Sequence, residues 1–460
     1  MNQQTGSEGE VKKSKSWFFR SYTIITFIAA FTIGITVGVV KSNDVLAVVH
    51  TYDDLEIFAD VLSLVETNYV DPVESKKLIE GAINGMLRTL DPHSSYMTPE
   101  SFKEMQVETE GEFGGLGIEI TADGGWVTVV APMEETPAWR AGIKSGDKIV
   151  KVNGESTHDM NLMDAVRKMR GKKGTPVTIT IMRDGFEEPK DFVIVREIIK
   201  VASVKYDMMP DNWGYLRIRS FSKDTGAETA NALADLKKRG MRGIVLDLRN
   251  DPGGLLNQAV EVSEQFLKKG ELVVYTKGRI PSQNMRFTAQ KGLEKDNNYP
   301  MVVLVNNGSA SASEIVAGAM QDLKRAILVG SQSFGKGSVQ TIIPLGSQGA
   351  LRLTTARYYT PAGRSIQAKG IDADILIEQP LPPELQGKNV STEGEASLKG
   401  HLTNEGGGDE GGGSSAYVPE DKTKDVQLKA AIDFLHGIKV VSTVKPADTK
   451  PAGTKETKSN

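Results

Sequence analysis

Three serines in a short turn are the strongest candidates for a nucleophile in this sequence. Ser309, Ser311 and Ser313 follow the apolar run 301–305 and precede an apolar helical pattern. The sequence therefore predicts a buried strand that ends at Asn306-Asn307-Gly308, then a tight turn and a helix. A serine on such a turn is exposed, and the free amides at the helix N-terminus can hold an oxyanion.

A structural role competes with catalysis at this turn. Ser311-x-x-Glu314 is a capping-box pattern, in which the Ser311 hydroxyl satisfies a free helix amide and contributes about 1 kcal/mol. The local sequence alone favours this capping role.

Lys336 is the candidate general base. It follows another apolar run, in the segment Phe334-Gly335-Lys336-Gly337, and its flanking glycines allow close approach of the backbone. A lysine near an apolar core loses its charge readily and can then take a proton from a serine. If the following chain is extended, Lys336, Ser338 and Gln340 face the same way, and Gln340 could orient the amine. A solvated turn lysine is an equally good interpretation of this residue by itself.

A second glycine-containing turn could supply an oxyanion donor. Asp247 and Arg249 end a predicted buried strand, and Gly253-Gly254 follow before the next predicted helix. Glycines in this position can present free amides, although an ordinary helix-entry turn has the same sequence.

The composition narrows the chemistry. The 460 residues include no cysteine, which excludes disulfides, thiolate metal sites and cysteine nucleophiles. The five histidines are scattered and no two have a metal-ligand spacing, so we expect no metal site. The formal net charge is −4 and there is no basic stripe, so we expect no nucleic-acid partner.

An α/β pattern must position these residues. Residues 189–378 alternate predicted strands and helices, and 338–345 and 350–360 predict an antiparallel pair. Residues 106–188 predict a small module of strands with short helices. Residues 51–100 predict two helices, whose apolar stripes we expect to be core, with a dimer surface as the alternative.

The N-terminus predicts a membrane anchor. Residues 22–40 carry no charge, and nineteen residues of helix span about 28 Å, close to the thickness of a bilayer core. Lys12, Lys13, Lys15 and Arg20 precede the segment, which places the rest of the chain outside the cytoplasm. A cleaved signal peptide is the less favoured alternative.

The sequence resembles the carboxyl-terminal processing (tail-specific) proteases, membrane or periplasmic serine peptidases with a PDZ domain. The resemblance covers roughly residues 50–440. The stretches that carry it are NYVDP (68–72), LDPHSSYMTPE (90–100), FGGLGIEI (113–120), LDLRNDPGGLL (246–256), NNGSASASEIVAGAMQD (306–322) and FGKGSVQ (334–340). Two small departures are Asp251, where asparagine is commoner, and Ala373, where proline is common.

The resemblance assigns roles that the residues alone leave open. It implies that Ser311 is the nucleophile, Lys336 the general base and Gln340 its support. It also implies an oxyanion hole made of the Ala312 amide and a glycine of the Pro-Gly-Gly turn, either Gly253 or Gly254. No cofactor is implied.

The resemblance also implies how substrate is held. The module at 106–188 looks like that family's PDZ domain, whose loop Gly115-Leu116-Gly117-Ile118 would bind the C-terminal carboxylate of a peptide, with the peptide added as a strand. Arg167 and Arg170 are weaker candidates for contacts with the peptide or the protease core.

The expected protein is therefore an α/β multidomain, ATP-independent serine endopeptidase, with a crotonase/ClpP-like spiral core suggested by the resemblance. It would act on proteins with exposed C-termini, from the outer side of a bacterial cytoplasmic membrane, with a homodimer or higher homo-oligomer left open. An inactive PDZ adaptor or chaperone, or a Ser/Lys amidohydrolase acting on cell-wall peptides, are the alternatives. The expected segments are a cytoplasmic N-terminus (1–21), an anchor or signal sequence (22–40), a helical region (41–105), the PDZ domain (106–188), the protease core (189–378), a flexible linker (379–416), a C-terminal helix (417–440) and a disordered tail (441–460).

Overall fold

The computed structural model describes residues 53–292, 298–385, 393–407, 410–411 and 414–443. The predicted anchor at 22–40 and most of the predicted tail lie outside these residues. In the part of the chain that is described, no helix is both long and apolar enough to cross a membrane. The chain divides into two compact units, Met1–Gly85 and Met86–Asn460.

The first unit contributes helices. Helix α1 covers residues 53–68, and α2, Ser75–Arg88, begins in this unit and continues past its end. The apolar stripe of α1 is not the expected core, because Leu55 and Phe58 are 55% and 43% exposed. Helical spacing predicted the helix correctly, but this spacing does not determine whether the apolar face of the helix is buried.

The second unit begins with the elements that lead into the small module. These are β1 (Ser95–Met97), α3 (Pro99–Glu110) and β2 (Glu112–Gly115). Thr98 caps α3, since its side chain accepts a hydrogen bond from the Ser101 amide (3.3 Å).

The module is an antiparallel sheet with two short helices. The strand order is β3-β4-β5-β7-β8, with β6 on β5. In β7, Val177, Ile179 and Ile181 are buried at every second position, because strand side chains alternate between faces. The bounds are β3 Ile118–Asp123, β4 Trp126–Pro132, α4 Pro137–Arg140, β5 Lys148–Val152, β6 Glu155–Ser156, α5 Leu162–Met169, β7 Pro176–Met182 and β8 Lys190–Val195. Strand β9, Glu197–Lys200, leaves the module and pairs with β2, which enters it.

A mainly parallel sheet forms the centre of the larger domain. Its order is β10-β11-β12-β15-β16-β19, and β10 alone is antiparallel to its neighbour. Both faces are buried, so β12 and β15 read as continuous apolar runs. The strands are β10 Val204–Met209, β11 Trp213–Ile218, β12 Gly243–Asp247, β15 Met301–Val305, β16 Ile327–Gly330 and β19 Ile375–Leu376.

Helices cover both faces of this sheet. Helices α6 (Thr225–Lys238), α7 (Leu256–Glu264) and α8 (Ala312–Asp322) share one hydrophobic core with it. Helix α9 (Val426–Leu435) packs on the other face, through Leu428 and Ala431. The C-terminal helix expected at 417–440 is shorter than expected, since α9 covers only Val426–Leu435.

A second sheet carries the segment after Lys336. Its path is β1-β18-β13-β14, with β17 also paired to β18. The predicted hairpin is confirmed, since β17 and β18 are antiparallel, and its register shifts between Val339 and Gln340. The bounds are β13 Leu272–Gly278, β14 Arg286–Thr288, β17 Ser338–Pro344 and β18 Ala350–Tyr359.

The described parts of 379–416 differ from the flexible linker that their composition predicts. Glu395 is fully buried, Ser414 is buried, and the Ala416 carbonyl accepts a hydrogen bond from Asn306 (3.1 Å). The glycine-rich composition of 402–416 signals low intrinsic order, but the described residues Ser414 and Ala416 are held by burial and by a contact with a distant residue.

Candidate active site

Ser311 lies at the start of α8 in a strained conformation. Its φ and ψ are 55° and −111°, a region that non-glycine residues rarely occupy and that clusters at functional sites. Its side chain makes no capping hydrogen bond, and its hydroxyl has no hydrogen-bond partner among the described residues. The hydroxyl therefore does not cap the helix, whereas the other half of the predicted capping box is present, since the Glu314 side chain accepts from the Ser311 amide.

One buried carboxylate connects the nucleophile and base segments. Glu314 Oε2 accepts hydrogen bonds from the backbone amides of Ser311 (2.8 Å) and Lys336 (2.9 Å). Glu314 Oε1 accepts from the Ser333 hydroxyl (2.6 Å) and the Gly335 amide (2.7 Å). Because both amides bind one oxygen, the Ser311 and Lys336 nitrogens are no more than about 6 Å apart.

Glu314 is fully buried, and this has an electrostatic consequence. Burial raises the pKa of its carboxyl to about 7, although the four donors oppose the rise by favouring the ionised form. The sequence shows the Ser-x-x-Glu spacing but not that this side chain also holds the lysine segment.

Lys336 has the environment of a base. Burial lowers the pKa of its amine, because the charged form loses water. The nearby carboxylates, Glu395 first among them, oppose this shift. Within the described residues the amine makes no hydrogen bond or ion pair, so it is free to accept a proton.

Gln340 does not bind the Lys336 amine in this structure. Its amide nitrogen donates to the hydroxyls of Ser338 (3.0 Å) and Thr354 (3.3 Å). The Ser338–Gln340 contact agrees with the predicted shared face of the strand. The register shift between Val339 and Gln340 is a local feature that period-two spacing does not show.

The Pro-Gly-Gly turn lies directly beside the nucleophile. A side chain added at Gly253 would come within 2.9 Å of Ser311 Cβ and 2.8 Å of the Ala312 nitrogen. The Gly253 amide, however, already donates to Asp251 Oδ1 (2.9 Å). The amides of Ala312 and Gly254 make no hydrogen bond to any described residue, so these two of the three predicted donors are free.

Glu395 and its partner His93 lie near Lys336, although neither was among the predicted site residues. The His93 ring nitrogen contacts both carboxylate oxygens of Glu395 (2.8 and 2.9 Å), and Gln367 donates to the same carboxylate (3.0 Å). The Glu395 amide donates to the Phe334 carbonyl, two residues before Lys336. Glu395 is an isolated acid in a polar stretch, so no sequence pattern could identify it.

The loop Gly115–Ile118 lines a groove of about 100 Å³ between β3 and α5. The amides of Leu116 and Gly117 have no hydrogen-bond partner among the described residues. A larger cavity, of about 420 Å³, reaches from Phe113 to Gly253 and Gly254. Arg170 lines both spaces, with its guanidinium 4.3 Å from the centre of the Phe113 ring. Arg167 pairs with Asp164 on its own helix and lies 3.9 Å from Glu104 of α3.

The described residues contain no cluster of three or more His, Asp or Glu side chains that could hold a metal ion.

Comparison with known proteins identifies the family. Residues 212–377 match Peptidase family S41, 128–183 match a PDZ domain, and 29–101 match the N-terminal domain of the activating protease CtpB. The carboxy-terminal-processing protease of Bartonella bacilliformis is 50% identical over 415 residues, which are 89% of this chain and 94% of that protein. The chain belongs to peptidase family S41. It is a serine-type peptidase with a PDZ domain.

Other similar proteins share a lower sequence identity with this chain. The carboxy-terminal processing protease CtpB of Bacillus subtilis is 37% identical, over 69% of this chain and 66% of that protein. The solved structure of a photosystem II D1 C-terminal processing protease is 30% identical, with a TM-score of 0.41, and the match covers 72% of this chain and 95% of that one.

Proposed function

We propose that this S41 peptidase is an ATP-independent endopeptidase that binds protein C-termini in its PDZ groove and cleaves with Ser311 as nucleophile and Lys336 as general base. The observation that carries the proposal is the Glu314 carboxylate, which holds the backbones of both residues to one oxygen atom.

The chemistry follows from the site. Neutral Lys336 accepts the Ser311 proton as the hydroxyl oxygen attacks the scissile carbonyl, and the protonated amine then returns a proton to the leaving amine. The Ala312 and Gly254 amides stabilise the negative charge on the tetrahedral intermediate. Water then releases the acyl group from Ser311, with Lys336 again as base.

Gln340 acts indirectly in this scheme. Its hydrogen bonds to Ser338 and Thr354 hold the start of β17, the strand that follows Lys336.

The PDZ module supplies the preference for chain ends. The free amides of Leu116 and Gly117 suit a carboxylate, and a bound peptide would add as a strand along β3. The groove and the larger cavity share Phe113 and Arg170, so a chain held by its end has a continuous route towards the Ser311 turn.

Location rests on the sequence. The uncharged segment 22–40 and the basic residues before it support a single membrane anchor, with the catalytic part outside the cytoplasm of a bacterium. Protease protection in spheroplasts, with and without detergent, tests this placement.

The decisive experiment measures digestion of casein without ATP by the wild type, Ser311→Ala and Lys336→Met. Wild-type digestion that both substitutions abolish supports the mechanism. Digestion that survives Ser311→Ala refutes the assignment of the nucleophile. A wild-type protein that binds C-terminal peptides but digests nothing is an adaptor instead.

A further inference from the structure

Asp251 is a buried residue whose hydrogen bonds connect the two loops of the oxyanion hole. Its backbone carbonyl accepts hydrogen bonds from the Ala310 amide (3.0 Å) and the Ser313 hydroxyl (2.9 Å), on either side of Ser311. Its side-chain Oδ1 accepts from the Gly253 amide (2.9 Å). The residue therefore sets where the Pro-Gly-Gly turn lies against Ser311.

The second carboxyl oxygen has an unusual environment. Oδ2 is buried and has no hydrogen-bond partner among the described residues. Burying an unpaired charge costs far more free energy than burying an unpaired neutral group, so this geometry favours the protonated acid. Burial raises the pKa of Asp251 to about 8, against the opposing effects of the Gly253 amide, the Ser313 hydroxyl and the Arg217 guanidinium of β11. Arg217 is the one charged group, among the described residues, that acts on it appreciably.

We propose that Asp251 is a positioning residue of the oxyanion hole whose carboxyl group supports catalysis only in its protonated form. The inference rests on the proposed function, because it assumes that negative charge develops beside Ala312 and Gly254. In the neutral form Asp251 holds the turn through Gly253 without adding charge. In the ionised form its charge opposes the oxyanion.

The size of the effect follows from the geometry. The Asp251–Gly253 hydrogen bond and the contact of Gly253 with Ala312 place the carboxyl no more than about 8 Å from the Ala312 amide. If the ionised carboxylate and the oxyanion are separated by about this distance, in a medium of effective dielectric constant about 20, their repulsion raises the barrier enough to lower the rate roughly 30-fold.

The test compares Asp251→Asn with the wild type. Asparagine keeps the carbonyl oxygen that accepts from Gly253 but cannot ionise. The measured quantity is the ratio of the variant's kcat to the wild-type kcat for one peptide, from pH 6 to pH 10. Titration of Lys336 affects both proteins and largely cancels. We expect the ratio to rise roughly 30-fold as a single-proton transition centred near pH 8. A ratio that is constant over this range overturns the proposal.

Two further variants complete the design. Asp372→Asn, at an exposed aspartate, should give a constant ratio. Asp251→Ala removes the Gly253 acceptor and should lower kcat at every pH, and equal kcat for the alanine and asparagine variants would contradict the positioning role.

Failure of the proposed function can be distinguished from failure of the Asp251 proposal. If the proposed function is wrong, Ser311→Ala digests casein as the wild type does. In that case the pH dependence of thermal unfolding decides. The proposal requires that the melting temperature of the wild type fall relative to Asp251→Asn as the pH rises from 5 to 9, and parallel curves would reject it.

Discussion

The Glu314 carboxylate provides the sharpest test of how the site is built. Glu314→Gln keeps one oxygen but replaces the other by an amide group that donates hydrogen bonds and cannot accept them. Two of the four hydrogen bonds to this buried side chain are then lost. Each bond to a charged group contributes about 1.5–3 kcal/mol, so the free energy of unfolding should fall by about 3 kcal/mol.

Activity should fall as well, because the lost bonds position Ser311 or Lys336. A displacement of about 1 Å in a catalytic group costs about 100-fold, so we expect kcat to decrease by about that factor. Urea unfolding and peptide hydrolysis at pH 8, above the Glu314 pKa of about 7, measure both quantities with the carboxylate ionised in the wild type.

Ser333→Ala is the matched control. It removes one donor to the same carboxylate without touching the amides of Ser311 or Lys336, although the bond from the Ile371 amide is also lost. We expect a stability loss with a much smaller change in kcat. Wild-type kcat in a destabilised Glu314→Gln would show that the carboxylate only stabilises the fold, and the coupling argument would be wrong.

Three further predictions concern other parts of the chain. Because burial lowers the pKa of Lys336, the kcat of Asp251→Asn, in which Asp251 no longer titrates, should rise with pH through a transition below the usual lysine value. Lys336→Arg, which stays charged, should lose at least about 100-fold, and a rate of Asp251→Asn that does not change with pH would contradict the base role. Arg249→Met should lower the free energy of unfolding by about 3–5 kcal/mol in a denaturant titration, because it leaves the buried Asp247 and Asp425 carboxylates without their ion pair. A loss below about 1 kcal/mol would show that other groups or protonation stabilise these carboxylates. Gly117→Ala should weaken binding of C-terminal peptides by at least about tenfold in fluorescence titrations. The φ of Gly117 is +76°, and the new methyl group would lie 2.3 Å from Thr136 Cβ. Unchanged affinity would mean that the loop does not bind the carboxylate.

The secondary structure of the core was predictable because its signals are local. Helix α6 has clear local signals, since an alanine-rich run follows Asp224 and ends in basic residues. Strands β12 and β15 were predicted because sheets buried on both faces require continuous apolar runs. The packing of 393–416 was not predictable, because burial of Glu395 depends on His93 and Gln367, which are distant in the chain.

The candidate active site, too, could be predicted from the sequence only where its signals are local. The strand-to-helix junction placed Ser311 correctly, whereas the strain at Ser311 and the four donors to Glu314 appear only when β15, α8 and the Lys336 segment come together. The two glycines of the Pro-Gly-Gly turn looked equivalent in sequence. In the structure they differ, because the Gly253 amide donates to Asp251 whereas the Gly254 amide has no partner among the described residues.

The buried Arg249 also bears on when the enzyme can become active during synthesis. Arg249 stands two residues before Asp251, and its guanidinium binds Asp425 (2.8 and 2.9 Å) and Gln427 (3.0 Å) at the start of α9. These partners are translated about 175 residues after it. A nascent chain that has not yet emerged beyond α9 therefore has only Asp247 of these two carboxylates to pair with Arg249, and the full set of ion pairs beside the oxyanion loop forms once α9 is present.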